Sequence, residues 1–172
     1  MMVNGKEVNY VRHDKYQIKG FFGDYRFLSN YHIAPFWFEG RLYTTREHAF
    51  QAAKYPESQR YIFDGITSAE AKKFGGKAQL NIKEWEAKKV NVMLRVICEQ
   101  FAAYPELEAK LVATDDRYLE ESNSWRDSFW GVYYPDDWTL TNNKEEGKNQ
   151  LGHLLMAARD MFKYKSNYNF AN

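Results

Sequence analysis

Apolar side chains recur at intervals of three and four residues in two long stretches of the chain, which predicts two amphipathic helices. The first stretch runs from Lys83 to about Ala102, and its stripe consists of Val90, Met93, Leu94, Ile97 and Phe101. The second lies near the end of the chain, and its stripe consists of Leu151, Leu154, Leu155, Ala158 and Phe162. Between them, Pro105 predicts the first turn of a shorter helix, where a proline is tolerated.

Two threonine-containing segments predict where further helices begin. Segments 44–47 and 67–70 both have the Thr-x-x-Glu pattern of a capping box, in which a hydroxyl and a carboxylate satisfy opposing backbone amides. Each segment precedes a run of good helix formers, so we expect helices to begin near residues 45 and 68.

A short hairpin is predicted between these helices and the start of the chain. Segments 36–38 and 41–43 are rich in aromatic and apolar residues and flank the pair Glu39-Gly40, where glycine takes positive φ at little steric cost. Residues 3–6 give a weaker turn signal of the same kind. Because no repeat or composition break divides the chain, we expect one compact α+β domain over residues 1–172. It should be mostly helical, with a small antiparallel sheet and a polar tail from about residue 164.

The composition excludes several functional classes. The 172 residues include 24 Lys and Arg and 23 Asp and Glu, a balance that gives no electrostatic basis for non-specific DNA or membrane binding. The single cysteine, Cys98, excludes an internal disulfide framework, and no apolar run approaches the roughly 20 residues that span a bilayer. We therefore expect a cytoplasmic protein without a membrane partner.

Motifs for metals and common cofactors are also absent. The four histidines lie far apart in sequence, without the spacing of a zinc site. The chain has no Walker A sequence, no glycine-rich dinucleotide fingerprint and no GxSxG nucleophile elbow. We therefore expect neither a metal nor a cofactor.

The most informative segment for chemistry is 47–54. On a helix, Glu47, Phe50, Gln51 and Lys54 share one face, so that an acid, an amide and an amine form one wall. If that wall meets aromatic rings, desolvation and mutual charge would shift the pKa values of the acid and the amine. In the structural alternative, Glu47 is only the acid of a capping box and Lys54 is a solvated helix end. The sequence leaves both interpretations open.

Aromatic residues crowd two segments, 21–43 and 125–138, and the second begins beside a polar cluster at 121–131. Acids and amides next to Trp125 and Trp130 suit a sugar or a base, because a ring covers the apolar face of the ligand while polar groups orient its hydroxyls. The alternative is structural, with the tryptophans in the core, Asp127 holding a turn and Asn123 bonding its own backbone.

Residues 147–152 open the last predicted helix. Exposed backbone amides at a helix start attract anions, and Lys148 would add a positive charge, so a phosphate is one expected ligand there. In the other interpretation Gly147 simply terminates the preceding loop.

Taken together, these stretches resemble the NADAR family, also described as YbiA-like, and the resemblance spans most of the chain. At the position of Lys89 the family pattern usually has an arginine, so the bidentate geometry of an arginine clamp on phosphate is lost. The residues that carry the resemblance are Phe22-Gly23, Phe27-Leu28-Ser29-Asn30-Tyr31, Gly40, Tyr43, the segment 47–54, Trp85, Met93, Glu121, Asn123, Trp125, Asp127, Trp130, Gly131, Gly147, Asn149, Leu151-Gly152 and Leu155-Met156.

The resemblance implies an N-glycosidase that hydrolyses the bond between ribose C1′ and an exocyclic amine. The implied small-molecule substrates are phosphoribosylamino-pyrimidine intermediates of riboflavin biosynthesis. One alternative is removal of ADP-ribose from guanine in DNA or RNA, and another is a module that binds ADP-ribose or NAD without cleaving it.

From the residues and the resemblance we expect Glu47, Lys54 and Asp127 to be catalytic. In a closed-ring mechanism a carboxylate stabilises the positive charge at C1′, whereas in a Schiff-base mechanism neutral Lys54 attacks the opened sugar. The sequence leaves both mechanisms open. The expected substrate-binding residues are Phe22, Ser29, Asn30, Gln51, Trp85, Lys89, Asn123, Trp125, Trp130, Gly131, Lys148 and Asn149.

Overall fold

A computed structural model describes residues 2–3, 5–7, 10–135 and 147–169, with side chains for residues 5, 10–135 and 147–165. The α-helices within these residues are α1 (Arg46–Ala52), α2 (Ser68–Gly75), α3 (Ile82–Ala103), α4 (Pro105–Val112) and α5 (Gln150–Asn169). Short 3₁₀ helices cover Gly23–Leu28 and Glu57–Phe63. The short strands of the described chain are β1 (Met2–Val3), β2 (Lys6–Glu7), β3 (Arg12–His13), β4 (Gln17–Lys19), β5 (Phe36–Phe38), β6 (Arg41–Tyr43), β7 (Tyr118–Glu120), β8 (Ser122–Asn123) and β9 (Val132–Tyr133).

The α+β class is confirmed, and the chain divides into two compact units. The terminal unit consists of residues 1–29 and 109–172, and the central unit of residues 30–108. The helix α5 continues to Asn169, so the segment predicted as a polar tail begins inside this helix. None of the described helices is long and apolar enough to cross a membrane.

The core of the central unit forms where the hairpin β5–β6 packs with α1. The strands pair antiparallel with Phe36 opposite Tyr43, and both turn residues, Glu39 and Gly40, have positive φ, as a two-residue hairpin turn requires. The predicted hairpin is thus confirmed. The core side chains are Phe36, Phe38, Tyr43, Ala49, Ala52, Phe63, Ala71 and Val96.

The helix α1 begins where expected but is capped differently. Thr45 is the N-cap residue, and its hydroxyl accepts the His48 N–H and bonds the His48 ring. The capping box predicted at Thr44 and Glu47 is therefore wrong, because the buried hydroxyl of Thr45, one residue later, caps the helix. At α2 the predicted capping box of Thr67 and Glu70 is confirmed.

The predicted long helices are also present. In α5 all five residues of the predicted stripe are buried. In α3 Met93, Ile97 and Phe101 are buried, while Val90 and Leu94 are partly exposed. The apolar spacing therefore identified buried residues on both helices.

Strand pairing in the terminal unit departs from the expected antiparallel sheet. Strand β4 pairs antiparallel with β3 but parallel with β7, and β8 pairs parallel with β9. The strands β4 and β7 are separated by about a hundred residues of chain. Parallel pairing needs such a long crossover and leaves no hairpin signal in the sequence.

Candidate active site

In the central unit, α1 brings a carboxylate and an amide together in a buried position. Glu47 and Gln51 are each 6% exposed, and Gln51 Nε2 donates to Glu47 Oε1 at 2.8 Å. The spacing of four residues places both side chains on one helix face. Because the amide nitrogen faces the carboxylate, the Gln51 oxygen points away from it. That oxygen accepts no hydrogen bond among the described residues.

The start of α1 is held by the segment that precedes the hairpin. The backbone N–H of Glu47 donates to Asn30 O at 3.0 Å, and Asn30 Nδ2 donates to Met93 Sδ at 3.6 Å. Asn30, a predicted substrate-binding residue, thus touches the catalytic candidate through its backbone. Its side-chain oxygen is buried and accepts no hydrogen bond from a described residue.

Lys54 lies beyond α1 rather than on its face. The helix ends at Ala52, and Lys54 N donates to Gln51 O at 3.2 Å in a tighter turn. The ammonium nitrogen donates to Gly75 O at 3.3 Å and lies 5.7 Å from the ring centroids of both Phe50 and Trp85. The prediction that Lys54 extends the helical face is wrong in detail. The side chain is partly buried, so it lies between the buried wall and the solvated helix end that the sequence left open.

Burial lowers the pKa of Lys54, and this is the largest influence on it. The charge of Glu47 acts in the opposite direction, while Lys72 and Lys89 lower the pKa further. The sequence left open whether burial or the charge of Glu47 has the larger influence on the pKa of Lys54. In the structure, burial has the larger influence. A larger fraction of Lys54 is therefore neutral, and thus nucleophilic, than of an ordinary lysine.

Trp85 and Lys89 come from the first half of α3. Trp85 is buried, with its ring centroid 5.4 Å from that of Phe50, so the two rings cover Lys54 together. Lys89 Nζ donates to Glu86 Oε2 at 2.6 Å. Its charge is therefore shared with a neighbouring carboxylate, and its predicted contact with substrate stays a prediction.

In the terminal unit, the loop after β8 is tied together by polar side chains. Asn123 is fully buried, and its Nδ2 donates to Asp127 O and Val132 O while its Oδ1 accepts from Asp127 N. Asp127 Oδ1 in turn accepts from Phe129 N and Trp130 N. The two residues thus hold the turn, as the structural alternative predicted. The other carboxylate oxygen of Asp127, Oδ2, accepts no hydrogen bond from a described residue.

Asn149 has a similar architectural position at the start of α5. It is 1% exposed, its Oδ1 accepts from Glu121 N, and its Nδ2 donates to Tyr118 OH and Leu119 O. Every polar atom of the amide is thus bonded within the unit. Its left-handed backbone, with a φ of 48°, turns the chain into the helix.

The amides at this helix start are not available to an anion. Backbone N–H groups of residues 148, 149, 150 and 151 donate to the carbonyls of Ser128, Gly131, Phe129 and Trp130. The predicted docking of a phosphate at these amides is therefore wrong, because the loop folds back and its carbonyls occupy them. The exposed Lys148 places its ammonium 5.5 Å from the Phe129 ring centroid.

The other predicted residues of the terminal unit are spread along it. Phe22 precedes the 3₁₀ helix Gly23–Leu28, and Ser29 follows that helix and is buried. Trp125 is 52% exposed, and Trp130 packs edge-on against Phe129 with centroids 5.0 Å apart. Gly131 leaves room for Asn123, whose Nδ2 would lie 2.8 Å from an added Cβ. Trp138, part of the predicted aromatic segment, lies outside the described residues.

Sequence reasoning missed two residues. In the terminal unit, Glu120 is a buried carboxylate that accepts from Ser122 Oγ and Tyr134 OH, with Lys19 Nζ at 3.6 Å. In the central unit, Gly75 touches both Gln51 and Lys54. A glycine inside a run of helix formers was the signal that could have found Gly75. Nothing in the local pattern distinguishes Glu120 from a surface acid.

The described residues contain no group of three or more His, Cys, Asp or Glu placed to hold a metal ion. The groups that the central unit brings together are a buried carboxylate, an amide that holds it, and a partly buried amine beside two aromatic rings.

Comparisons with known proteins place these features in a family. Residues 12–163 match the NADAR domain. The chain is 30% identical over 168 residues to N-glycosidase YbiA of Escherichia coli (strain K12), a match that covers 93% of this chain and 96% of the relative. It is 27% identical over 146 residues to a riboflavin biosynthesis protein of Vibrio vulnificus (strain YJ016), covering 83% of this chain and 37% of that protein.

A solved structure agrees with the sequence comparison. The NMR structure of the Escherichia coli protein YbiA superposes with a TM-score of 0.72 at 28% identity, covering 92% of this chain and 91% of that one. The similarity therefore extends to the fold as well as to the sequence.

Proposed function

The chain belongs to the NADAR family, and on that premise we propose that it hydrolyses the bond between ribose C1′ and an exocyclic amine, with Lys54 as nucleophile and Glu47 as general acid and base. Its full-length relatives are named N-glycosidases, and this chain is a hydrolase of the same class. The observation that carries the assignment of residues is the buried Glu47–Gln51 pair beside a desolvated Lys54.

The proposed substrate is a phosphoribosylamino-pyrimidine. Support comes from the relatives named riboflavin biosynthesis proteins, which share this region of sequence. The chemistry of the bond gives a second reason. A nitrogen outside the base ring can donate its lone pair to C1′, so the furanose opens to an imine, a route that an ordinary O-glycoside lacks.

The first half of the reaction exchanges one amine for another. Glu47 gives a proton to the ring oxygen as the bond from C1′ to that oxygen breaks, which leaves a protonated imine between C1′ and the substrate nitrogen. Neutral Lys54 adds to C1′, a proton moves from its nitrogen to the departing nitrogen, and the aminopyrimidine leaves. The sugar is then joined to Lys54 as a protonated Schiff base.

The second half consumes one water. The Glu47 carboxylate takes a proton from the water that adds to C1′, which gives a carbinolamine. The proton of the new C1′ hydroxyl moves to the lysine nitrogen as the bond between C1′ and Lys54 breaks, which leaves an aldehyde and neutral Lys54. The sugar hydroxyl released in the first half then adds to the aldehyde and closes the ring. The net change is one water consumed, with one amine and one ribose 5-phosphate released.

Three features of the site suit these steps. Burial lowers the pKa of Lys54 and so increases the neutral fraction that attack requires. Gln51 Nε2 donates to Oε1 of Glu47 and so holds the carboxylate in one orientation for proton exchange. The rings of Phe50 and Trp85 cover the amine and limit its hydration.

Asp127 is proposed as an additional carboxylate that orients substrate. One of its oxygens, Oδ1, is engaged by two backbone amides, which fixes the side chain. The other oxygen is left for a hydroxyl or a water.

Release of the aminopyrimidine, followed by liquid chromatography, tests the proposal. The wild-type chain and a surface control, Glu106→Gln, should release it at equal rates. Glu47→Gln should be slower by about 1,000-fold, within the range of general acid–base catalysis. Equal turnover by Glu47→Gln would remove Glu47 from the mechanism.

The same assay separates the alternative functions. An oligonucleotide that carries ADP-ribose on guanine serves as a second substrate. Cleavage of this substrate alone would move the assignment to modified nucleic acid. Saturable binding of ADP-ribose with both substrates recovered intact would contradict enzymatic function altogether.

A further inference from the structure

Gly75 stands at a helical position where backbone geometry does not require glycine. It is the last residue of α2 and is buried, and it is not one of the residues with positive φ. Glycine is less favourable than alanine inside a helix, because it loses more conformational freedom on folding. Its presence in α2 therefore needs a reason outside the helix.

The reason lies in the space that the Gln51 side chain occupies. A Cβ added to Gly75 would lie 2.9 Å from Gln51 Cβ, 2.5 Å from its Cδ, and closer still to Oε1. All three distances are shorter than real Cβ contacts. The amide of Gln51 therefore rests directly against the bare backbone of Gly75.

The neighbouring glycine provides a contrast. A Cβ on Gly76 would have Lys73 O at 3.5 Å and Lys72 O at 3.6 Å as its nearest neighbours, which is ordinary van der Waals contact. A methyl group thus fits at the exposed C-cap residue Gly76 and does not fit at the buried Gly75.

Gly75 also contacts the proposed nucleophile. Its carbonyl oxygen accepts from Lys54 Nζ at 3.3 Å. The same residue therefore borders the amide that holds the acid and bonds the amine that attacks.

We propose that Gly75 is a positioning residue for the reaction. Its missing side chain lets Gln51 reach Glu47 Oε1, and its carbonyl directs Lys54 Nζ. In this account Gln51 is a holder of the carboxylate rather than a contact of the substrate. The inference rests on the proposed function, because it gives Gly75 the role of aligning Glu47 and Lys54, the two groups proposed to act on C1′.

The physical consequence of Gly75→Ala follows from the clash. The added methyl must displace the Gln51 amide, and the bond from Nε2 to Glu47 is lost. The carboxylate then loses the amide that positions Oε1 for proton transfer. Misplacement of this size lowers kcat by about 100-fold, while KM should stay within about threefold because neither Gly75 nor Gln51 touches substrate.

A double-mutant cycle tests the proposal. Gly75→Ala and Gln51→Ala should each lower kcat by about 100-fold, and the double variant should be no more than about threefold slower than Gln51→Ala alone, since both changes remove the same interaction. Gly76→Ala is the matched control and should stay within about twofold of wild type. Multiplicative losses, an equal loss in Gly76→Ala, or a rise in KM in place of the fall in kcat would overturn it.

A structural measurement separates this inference from the proposed function. In ¹H–¹⁵N NMR spectra, the Gln51 side-chain NH₂ signal should shift between wild type and Gly75→Ala but not between wild type and Gly76→Ala. Normal turnover by wild type with no shift in Gly75→Ala would overturn the role of Gly75 alone. A shift in a chain that cleaves no ribosylated amine would overturn the function and leave the contact established.

Folding of the variants does not limit the test. Gln51→Ala removes the amide without introducing a clash, so it should fold even if Gly75→Ala does not. An unchanged kcat in Gln51→Ala would by itself contradict the proposal.

Discussion

Two clusters of polar side chains beside aromatic rings look alike in the sequence and differ in the structure. In the terminal unit, the amides of Asn123 and Asn149 spend their hydrogen-bonding atoms on the backbone around them. In the central unit, Glu47 accepts from the Gln51 side chain and Lys54 donates to the Gly75 carbonyl. The first arrangement fixes a loop, and the second brings together the two groups that we propose to be catalytic.

The bonding partners of a polar cluster separate side chains with a structural role from side chains that are able to react. A buried amide that bonds three backbone or hydroxyl groups is saturated and has nothing to offer a ligand. An amine whose pKa is lowered mainly by burial costs free energy to keep charged. Groups with such shifted pKa values are concentrated at functional sites. Both clusters combine an acid and an amide four residues apart, at positions 123 and 127 and at positions 47 and 51, and their bonding partners distinguish them.

The largest expected effect is on the chemistry of the central unit. Lys54→Met keeps the length and the apolar stem of the side chain but removes the nucleophile, so turnover should fall by more than about 1,000-fold. Lys83→Met, an exposed position on α3, is the control and should retain wild-type turnover. Comparable rates for the two variants would end the role of Lys54.

The next effect is on the stability of the terminal unit. Asn149→Ala should lower the free energy of unfolding by about 2–3 kcal/mol, because Glu121 N–H, Tyr118 OH and Leu119 O all lose a partner. Urea unfolding measures it, with Asn91→Ala at an exposed position of α3 as the control. If Asn149→Ala were as stable as this control, the amide would not be the architectural element described above.

A smaller effect on turnover is expected at Asp127, which both holds its loop and is proposed to orient the substrate. Asp127→Asn keeps an oxygen for the amides of Phe129 and Trp130, so the urea midpoint should hardly change. Turnover should fall by about tenfold, because a neutral amide orients a hydroxyl less strongly than a carboxylate. Asp127→Ala should lose both stability and turnover. Full activity of a folded Asp127→Asn would make the whole loop architectural.

The smallest effect is the pH dependence that Lys54 imposes on stability. Burial places its folded-state pKa below the ordinary value of 10.5, so between these two values the unfolded chain binds more protons than the folded one. Stability from this group therefore rises with pH across that window, and its destabilising effect is complete below it. Unfolding curves of wild type and Lys54→Met should converge as the pH increases, whereas a constant difference would contradict the desolvation of Lys54.

Local patterns were sufficient for much of the fold. The five apolar residues of α5 are all buried, because helical periodicity alone decides which face meets the core. The turn at Glu39 and Gly40 was predictable because its positive φ values depend on those two residues. The cap of α1 was not, since the choice between Thr44 and Thr45 depends on His48 and on burial.

The site itself was only partly predictable. Glu47 and Gln51 were placed together by helix geometry, but the position of Lys54 depends on the helix ending at Ala52 and on a carbonyl from α2. The amides at the start of α5 looked open because the carbonyls of residues 128–131 that occupy them belong to a separate segment. Contacts between segments far apart in sequence decide the position of Lys54 and the state of the amides at the start of α5. A local sequence pattern does not reveal such contacts.

Trapping with borohydride tests whether Lys54 forms a Schiff base with the sugar. Borohydride added during turnover of a phosphoribosylamino-pyrimidine should reduce the Schiff base and leave the sugar on the peptide that contains Lys54, as read by mass spectrometry. Lys83→Met should be labelled at the same place, and Lys54→Met should not be labelled. Release of the aminopyrimidine with no sugar on Lys54, under conditions that trap a Schiff-base aldolase, would contradict the account.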